Sequence, residues 1–447
     1  MRIAIIGSGI AGLSCAWLLD QAHDITVYEI DHRPGGHSNT VLMPTRTADV
    51  PVDTGFIVYN DRNYPNLAAL FEHFAVPTKA SSMSFAFSLD DGRFEYSGSE
   101  TYGTLFAQKS NLLRPAFHRM LADIIRFNAA AERVLARDDL AEPLAIGDFL
   151  SRGRYSEIFC NCYLLPMSAA IWSAGLNDIR EFPARSFLQF FKNHGLISLH
   201  DRPEWRTVVG GSVVYVDRLT RAFRHRVLAG IGARRIARTG DSVIVQDTRG
   251  FRERYDAVVI ACHADQALAM IETPTSAEAD ILAAFSYQRN DVCLHSDPRL
   301  MPRRRAVWSG WNYLASSARP GNSKVSITYW MNHLQRLDGD RQAFVSLNPL
   351  NEPRAEHVIA RMRYDHPMFN HKALQAQRRL SEIQGRDRLW FAGAHWGFGF
   401  HEDGLVSGLR VAASLGVAPP WWPNVEPLLT ARSTGTPDLA QAVGGAD

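Results

Sequence analysis

The first thirty-seven residues, Met1 to His37, constrain this chain more than any other stretch. Arg2 to Ile6 is an apolar, β-type run. It breaks into Gly7-Ser8-Gly9-Ile10-Ala11-Gly12, a G-x-G-x-x-G. Leu13 to Leu19 continues at helical spacing. Ile25 to Tyr28 then gives a second strand, which ends on the acid Glu29. Strand, tight turn, helix, strand and acid in this register make a nucleotide-binding βαβ unit.

Each position has a physical reason. Gly7 allows the sharp turn. Gly9 lets the backbone approach a pyrophosphate, and Gly12 lets the helix sit close to the sheet. The helix start, with Ala11 in its first turn, offers free N–H groups and a partial positive charge to phosphates. Glu29 can accept from a ribose 2′-OH, which disfavours a 2′-phosphate and hence NADP. Gly7, Gly9, Ala11, Gly12 and Glu29 are therefore the expected ADP contacts. The competing reading is a glycine turn in an ordinary βαβ unit.

After Glu29 come Arg33, Pro34, Gly35, Gly36 and His37. This E-x-x-x-R-x-G-G resembles the segment that follows the second strand in the amine oxidase and phytoene desaturase class of flavoproteins. The resemblance implies FAD, with the paired glycines near the flavin side of the pyrophosphate. It makes Arg33, Gly36 and His37 cofactor contacts. In that class an arginine usually follows the glycines; here His37 stands in its place.

A chain of 447 residues is long enough for two domains with full cores. A net charge of +2 argues against a dedicated nucleic-acid binder. The 16 histidines are too scattered to suggest a metal site. The five cysteines form no C-x-x-C pair and no disulfide framework, which points to a reducing cytoplasm. Three glycines cut the apolar start, so it does not read as a signal peptide. No apolar run is long enough for a membrane span, which leaves peripheral contact with the inner membrane face as the expected limit of membrane association.

Along the chain, residues 50–60 read as a strand crossing an Asp-Thr-Gly turn, and 63–74 as a helix. Residues 82–96 read as a hairpin around Asp90-Asp91-Gly92. Residues 114–137 form a long helix with Phe117, Leu121, Ile124 and Ile125 as its apolar positions. More helix follows over 146–170, broken near Pro166, and again over 183–199. Residues 233–255 give short antiparallel strands. Residues 255–261 give a strand buried on both faces. Residues 286–348 are strand-rich, 371–383 helical, 389–393 a last strand, and 404–415 the final helix. The fold class expected is α/β: a doubly wound, Rossmann-type FAD-binding domain with a second domain of mixed sheet and helices. The FAD-binding domain takes 1–80, 206–285 and 371–420. The substrate domain takes 81–205 and 286–370. A mobile tail takes 421–447.

The pairing of the two ends supports a flavin site. Phe391-Ala392-Gly393-Ala394, followed by Gly404-Leu405-Val406-Ser407-Gly408, brings a second glycine and helix to the cofactor. Such flavoproteins usually carry an acid after the glycine. Ala394 cannot replace it by side chain, so Glu402 or Asp403 is expected to take the ribityl chain.

Longer segments carry a closer resemblance. RPGGHSNT, VDTGFIVYN, HSDPRLMPRRRAVWSGWNY, ITYWMNHLQRL, VSLNP and WFAGAHWGFGFHEDGLVSG resemble the amine-oxidase-like flavoproteins found beside cyclopropane fatty acid synthase-type methyltransferases. A similar domain is fused to the front of plant cyclopropane fatty acid synthases. One bacterial branch is similar to the acyl-lipid desaturase of furan fatty acid synthesis. The resemblance implies a two-domain amine oxidase fold and FAD, with Gly55, Phe56, Ala261, His263, Gly393, Ala394 and Leu405 at the cofactor. It also implies a phospholipid or fatty acyl chain as substrate, oxygen or quinone as electron acceptor, and a methyltransferase as partner. Many relatives carry Tyr-Gln where this chain has His395-Trp396.

The chemistry to be served is placement of an activated C–H over the flavin and exclusion of water. The densest cluster of suitable groups is 393–404. His395 or His401 is the expected proton acceptor. Trp396, Phe398 and Phe400 are expected to wall the substrate. The alternative is that both histidines only hydrogen-bond the flavin or the loop. Arg303-Arg304-Arg305 reads as a solvated turn, with a phospholipid head-group contact as the alternative. The expected activity is dehydrogenation of an unsaturated or methyl-branched acyl chain. Acyl double-bond isomerisation, amine oxidation and a non-catalytic flavoprotein partner of a methyltransferase are the other readings.

Overall fold

The computed structural model describes residues 1–98, 102–136, 144–197, 203–318 and 325–422. Of the tail expected to be mobile, residues 423–447 lie outside them, whereas Trp421 stacks on Trp17 at 5.7 Å and both Trp421 and Trp422 donate to Asn66 Oδ1. So does Leu199, the expected end of the third central helix.

Five parallel strands make the first sheet. Their order is Leu389–Phe391, Ala257–Ile260, Arg2–Ile6, Asp24–Glu29 and Val227–Ala229. Successive residues of a strand face opposite sides. Ile3, Ile5, Val27 and Val259 enter one core; Ala4, Ile6, Tyr28, Val258 and Ile260 enter another. Both faces are therefore covered, as an all-parallel sheet requires. The helix Ile10–Leu19 and the last helix, His401–Ser414, pack together on the first face. A Cβ on Gly408 would stand 2.2 Å from the Ala11 carbonyl oxygen. One on Gly12 would stand 2.0 Å from that of Gly7.

An antiparallel sheet, Ala233–Arg238, Val243–Asp247 and Arg252–Tyr255, covers part of the other face. A seven-stranded mixed sheet forms the second layer. Its order is Val358–Met368, Ser286–His295, Phe344–Leu347, Ile327–Trp330, Trp311–Ala315, Phe85–Leu89 and Phe94–Ser97. The edge strand Val358–Met368 has no simple signature in the sequence. It carries charges at Arg361, Arg363 and Asp365, and it ends around Pro367. An edge position tolerates that proline, because one side of the strand needs no ladder hydrogen bond.

Several elements differ from expectation. The helix Pro115–Ala136 buries Phe117, Met120, Asp123, Phe127 and Ala131, whereas Ile125 is 63% exposed. The buried face is turned away from Ile125 because it includes a carboxylate. Asp123 is satisfied by Arg119, Arg126 and the Ser156 N–H. The next helical region breaks at Gly153–Ser156, where Arg154 takes a positive φ, and not at Pro166. Pro166 lies in the first turn of Leu165–Trp172, after a π-turn over Cys160–Leu164. Proline has no N–H to donate to the preceding turn. The buried Tyr96 hydroxyl instead donates to the Cys162 carbonyl at 2.7 Å. The last helix begins at His401, three residues early, because Asp403 caps the Phe400 N–H. The strand over 50–60 stops at Asp53. The hairpin turn is as expected, with positive φ at Asp90, Asp91 and Gly92.

Among the described residues, no helix is long and apolar enough to cross a membrane.

Removing the Tyr96 hydroxyl should expose the dependence of the π-turn on it. Tyr96→Phe leaves a buried carbonyl short of a donor, at a cost of about 1–3 kcal/mol. Adding Pro166→Ala should recover part of that, since the new N–H can serve the same turn. Urea unfolding of the two variants checks this; equal midpoints for Tyr96→Phe and wild type would exclude the assignment.

Candidate functional site

The Gly7–Gly12 turn opens at the carboxyl end of the parallel sheet, where ligands bind in this kind of fold. The helix Ile10–Leu19 starts with Gly9 as N-cap, with no side chain capping it and no acid in its first turn. Its first N–H groups therefore have no intrahelical partner. A Cβ built on Gly9 meets nothing within 4 Å. The rim of this open face is the next loop: a Cβ on Gly36 would stand 3.1 Å from the Gly9 Cα.

Charged residues fix that loop. The Ser8 N–H and hydroxyl donate to Glu29 Oε2, and the Asp31 N–H donates to Oε1 at 2.8 Å. Glu29 is thus held at the end of its strand. Arg33 donates to the Gly36 carbonyl at 2.8 Å and to that of Ser38 at 3.3 Å. The Gly35 N–H donates to the Ser8 carbonyl at 2.9 Å. His37 stacks on Tyr364 at 4.8 Å and lies 5.3 Å from His366, both on the edge strand of the mixed sheet. The Phe56 N–H donates to the His37 carbonyl at 2.9 Å, and a Cβ on Gly55 would meet that same oxygen. The mixed sheet therefore roofs the glycine loop through His37, Tyr364 and His366.

Two further groups complete the cleft. Ala261 receives the turn: its N–H donates to the Ile6 carbonyl at 2.8 Å, and its own carbonyl crowds Gly7. His263 stacks face to face on Tyr287 at 4.2 Å, and the Tyr287 hydroxyl accepts from the Ala264 N–H at 2.8 Å. At the other end, the Gly393 N–H donates to Ser407 Oγ at 2.8 Å. Ala394 lies against Gly404, and Leu405 is fully buried beneath.

The two candidate proton acceptors stand in different surroundings. His401 stacks on Phe56 at 4.0 Å, and its Nε2 is 2.7 Å from the Tyr215 hydroxyl and 3.3 Å from Ser38 Oγ. His395 packs edge-on against Phe285 at 5.0 Å, with Tyr287 at 6.3 Å. Burial pushes both imidazoles down to about 3, so both are neutral at pH 7. His366 is pushed down to about 4 by burial and by His263. His37 is lowered by burial and by His366, His263 and His401.

The aromatic loop is divided. Phe398 and Phe400 pack on Phe190 of the helix Ala184–Asn193, at 5.7 and 5.1 Å. Trp396 lies apart, against Phe285 at 5.1 Å. The two acids expected at the ribityl chain are engaged elsewhere. Glu402 accepts from the Asn66 N–H and Nδ2 and from the Leu67 N–H, each at 2.9 Å, and so caps the helix Pro65–His73. Asp403 accepts from the Phe398 and Phe400 N–H groups at 3.1 and 2.9 Å. Burial raises both carboxyls to about 7.

Sequence reasoning did not single out Asp53, Tyr215, Tyr364 or His366 as site residues. Asp53 is buried and gathers Thr40, Ser212 and Gln335 around its oxygens. An acid ending an apolar run was the available signal for it. His366 and Tyr364 come from an edge strand with no pattern to flag them.

An uncapped helix start and an open face at Gly9 fit the phosphates of a dinucleotide. The buried His37 Nε2 and Trp396 Nε1 lack partners, so the cleft has polar atoms to spare for a cofactor. A family model described as flavin containing amine oxidoreductase matches residues 10–287. The chain belongs to that family, and it is an FAD-dependent oxidoreductase. Among solved structures, the chain is similar to putrescine oxidase bound to putrescine, with 15% identity and a TM-score of 0.65 over 93% of this chain and 99% of that one. It is similar to a CLA-producing fatty acid isomerase from P. acnes, with 17% identity and a TM-score of 0.65 over 93% and 99%. It is also similar to cyclohexylamine oxidase from Brevibacterium oxydans, with 15% identity and a TM-score of 0.65 over 93% and 98%. At these identities the likeness is one of fold. No curated protein matches the chain.

Gly9 and Gly12 should fail differently when enlarged. Gly9→Val fills open space, so the apoprotein should unfold within about 1 kcal/mol of wild type, yet purify colourless. Gly12→Val strikes backbone and should lose roughly 2 kcal/mol or more. Absorbance near 450 nm and urea midpoints separate the two; a yellow Gly9→Val protein would sink the placement of the phosphates.

The lowered histidines set a pH dependence. His194 and His395 stay neutral in the fold down to about 4 and about 3, whereas unfolded histidine protonates near 6.5. Between those values the unfolded chain binds more protons, so apoprotein stability falls as pH drops below about 6.5. Each contributes up to about 1.4 kcal/mol per pH unit. Urea midpoints at about pH 7.5 and 5.5 test this, and His194→Gln should narrow the gap.

Proposed function

We propose that this enzyme dehydrogenates an unsaturated or methyl-branched acyl chain of a lipid. The observation that carries the reading is the wall beside the 393–404 loop. Phe182, Phe190, Phe369, Phe398 and Phe400 lie in ring or core contact there, together with His194, which burial pushes down to about 4. The two carboxyls of the loop, Glu402 and Asp403, are tied to backbone N–H groups. An ammonium moved into such surroundings without a counter-charge loses several kcal/mol of hydration. An acyl chain gains about 0.8 kcal/mol for each CH₂ it buries. The balance favours the chain.

Bound FAD supplies the hydride acceptor. Gly7, Gly9, Ala11 and Gly36 would hold its phosphates, with Gly12 keeping the helix close to the turn, Glu29 at the ribose and Arg33 bracing the loop. Gly55, Phe56, Ala261, His263, Gly393, Ala394 and Leu405 would frame the rest of its seat. His37 offers its free Nε2 to the same cofactor. Phe400 and its neighbours hold the chain and keep water out. His395 is the base of this reading for the proton on the carbon beside the activated one; because burial lowers its imidazole, the proton is passed on from it and does not rest there. The Tyr215 hydroxyl already occupies His401 Nε2, which suits His401 to orienting rather than accepting. Oxygen or a quinone takes the electrons, and a lipid methyltransferase is the partner that would supply a methyl-branched chain.

A second reading is acyl double-bond isomerisation, in which the hydride returns to the substrate. The fatty acid isomerase that shares this fold supports it.

The test is anaerobic mixing of the yellow protein with phospholipids bearing such chains. Flavin bleaching, with a new double bond by mass spectrometry, is the expected result. His395→Ala should slow bleaching by roughly a hundredfold while keeping FAD, and His401→Ala by less. A moved double bond without bleaching would favour the isomerase. Bleaching by amines and not by lipids would overturn the acyl reading.

A further inference from the structure

The long helix Pro115–Ala136 presents an unusual outward face. Leu112 is 52% exposed, Leu113 86% and Ile125 63%. Pro115, Ala116, Ala122 and Ala129 are exposed alongside them. These residues continue from the 3₁₀ turn Lys109–Leu113 into the outer stripe of the helix. Water gains nothing from such a face, and among the described residues no other element covers it.

Charge specifies what would. From residue 109 to 136 the basic groups are Lys109, Arg114, Arg119, Arg126 and Arg133, with His118 beside them. The acids are Asp123 and Glu132. Asp123 is buried and already neutralised by Arg119 and Arg126, whose side chains remain 58% and 45% exposed. The cationic surface extends beyond the helix. Arg114 donates to the Arg93 carbonyl at 3.1 Å, and Arg304 to that of neighbouring Gly92 at 2.7 Å. Asp90 faces Arg93 at 2.8 Å and the buried Glu95 faces Arg304 at 2.9 Å, so each offsets one charge there. Exposed leucine and isoleucine set among arginines suit the boundary of an anionic bilayer.

The buried side of the same helix leads inward. It packs on Ala184–Asn193, the helix whose Phe190 meets Phe398 and Phe400. One helix therefore separates the outward face from the proposed substrate wall.

We infer that the outer face of residues 109–133 docks the enzyme on an anionic lipid bilayer, through Leu112, Leu113 and Ile125 and the basic residues around them. That docking delivers substrate rests on the acyl-lipid reading; the docking itself does not.

The FAD-loaded full chain should float with vesicles of phosphatidylcholine and phosphatidylglycerol. It should bind pure phosphatidylcholine vesicles roughly tenfold less, and high salt should release it. Leu113→Asp with Ile125→Asp should cut flotation roughly tenfold. Both sites are exposed, so the flavin spectrum should not change. Lys109→Glu with Arg133→Glu should lower binding to anionic vesicles alone. Equal binding to both vesicle types, or flotation unmoved by the aspartates, overturns the inference. So does retention of the wild type by an anionic polymer such as heparin with no vesicle binding. Flavin reduction by detergent-dispersed lipid is measured in parallel. If that fails while flotation succeeds, the acyl reading falls and the docking face stands.

Discussion

The site depends on one backbone contact. The last helix lies so close to the first that Gly408 faces the Ala11 carbonyl with no room for a methyl group. Two helices that follow parallel strands start at the same edge of the sheet. Pressing them together fixes both starts, Gly9 and His401, at one cleft, although nearly the whole chain separates them. Everything placed by the 393–404 loop inherits that precision. The Gly393 N–H is tied to Ser407 on the last helix, and Glu402 on its first turn caps Pro65–His73. A shift of the last helix would move the glycine turn, the two histidines and a third helix at once.

Within that frame the cleft is built to carry little charge. Its carboxylates are spent on structure: Glu29 on Ser8 and Asp31, Asp53 on Thr40 and Ser212, Glu402 and Asp403 on helix starts. Its histidines are lowered by burial and by one another. The guanidinium of Arg33 holds carbonyls of the glycine loop, and that of Arg410 stands toward Asp403. A buried charge left without a partner is the costly alternative. Neutral imidazoles avoid that cost and still give nitrogen atoms that accept or donate as the tautomer allows. The unpartnered Nε2 of His37 belongs to this pattern.

The parts of this plan that the chain announces are local. Gly7 to Glu29 could be read because strand, turn, helix and acid follow one another directly. The hairpin at Asp90-Asp91-Gly92 and the buried strand Ala257–Ile260 were legible for the same reason. What could not be read is tertiary. The inner face of Pro115–Ala136 turns on Asp123, whose partner Ser156 comes from another element. That the chain stays helical through Pro166 goes with a hydroxyl from Tyr96, which serves the Cys162 carbonyl that the proline leaves without a donor. Val358–Met368 hides its strand character behind alternating charges because it is an edge, and so His366 and Tyr364 gave no sign of roofing the glycine loop. Glu402 and Asp403 looked free for a cofactor because their backbone partners are set by the fold.

Those partners bear on the chemistry. A flavoenzyme of this fold can meet a cationic amine or an uncharged chain, and the difference lies in what faces the loop opposite the cofactor. Here the residues in position to answer an ammonium, Glu402 and Asp403, would have to abandon three and two N–H donors. Each lost bond to a carboxylate costs on the order of 1.5–3 kcal/mol, and both helix starts would be left uncapped. No single ion pair in a half-buried site returns that much. The aromatic wall has no such conflict, since an acyl chain asks it only for surface. The helix that packs on the wall, Pro115–Ala136, follows directly on the turn that carries the outward leucines, so a lipid leaving a bilayer would meet apolar surface on both sides of one helical layer.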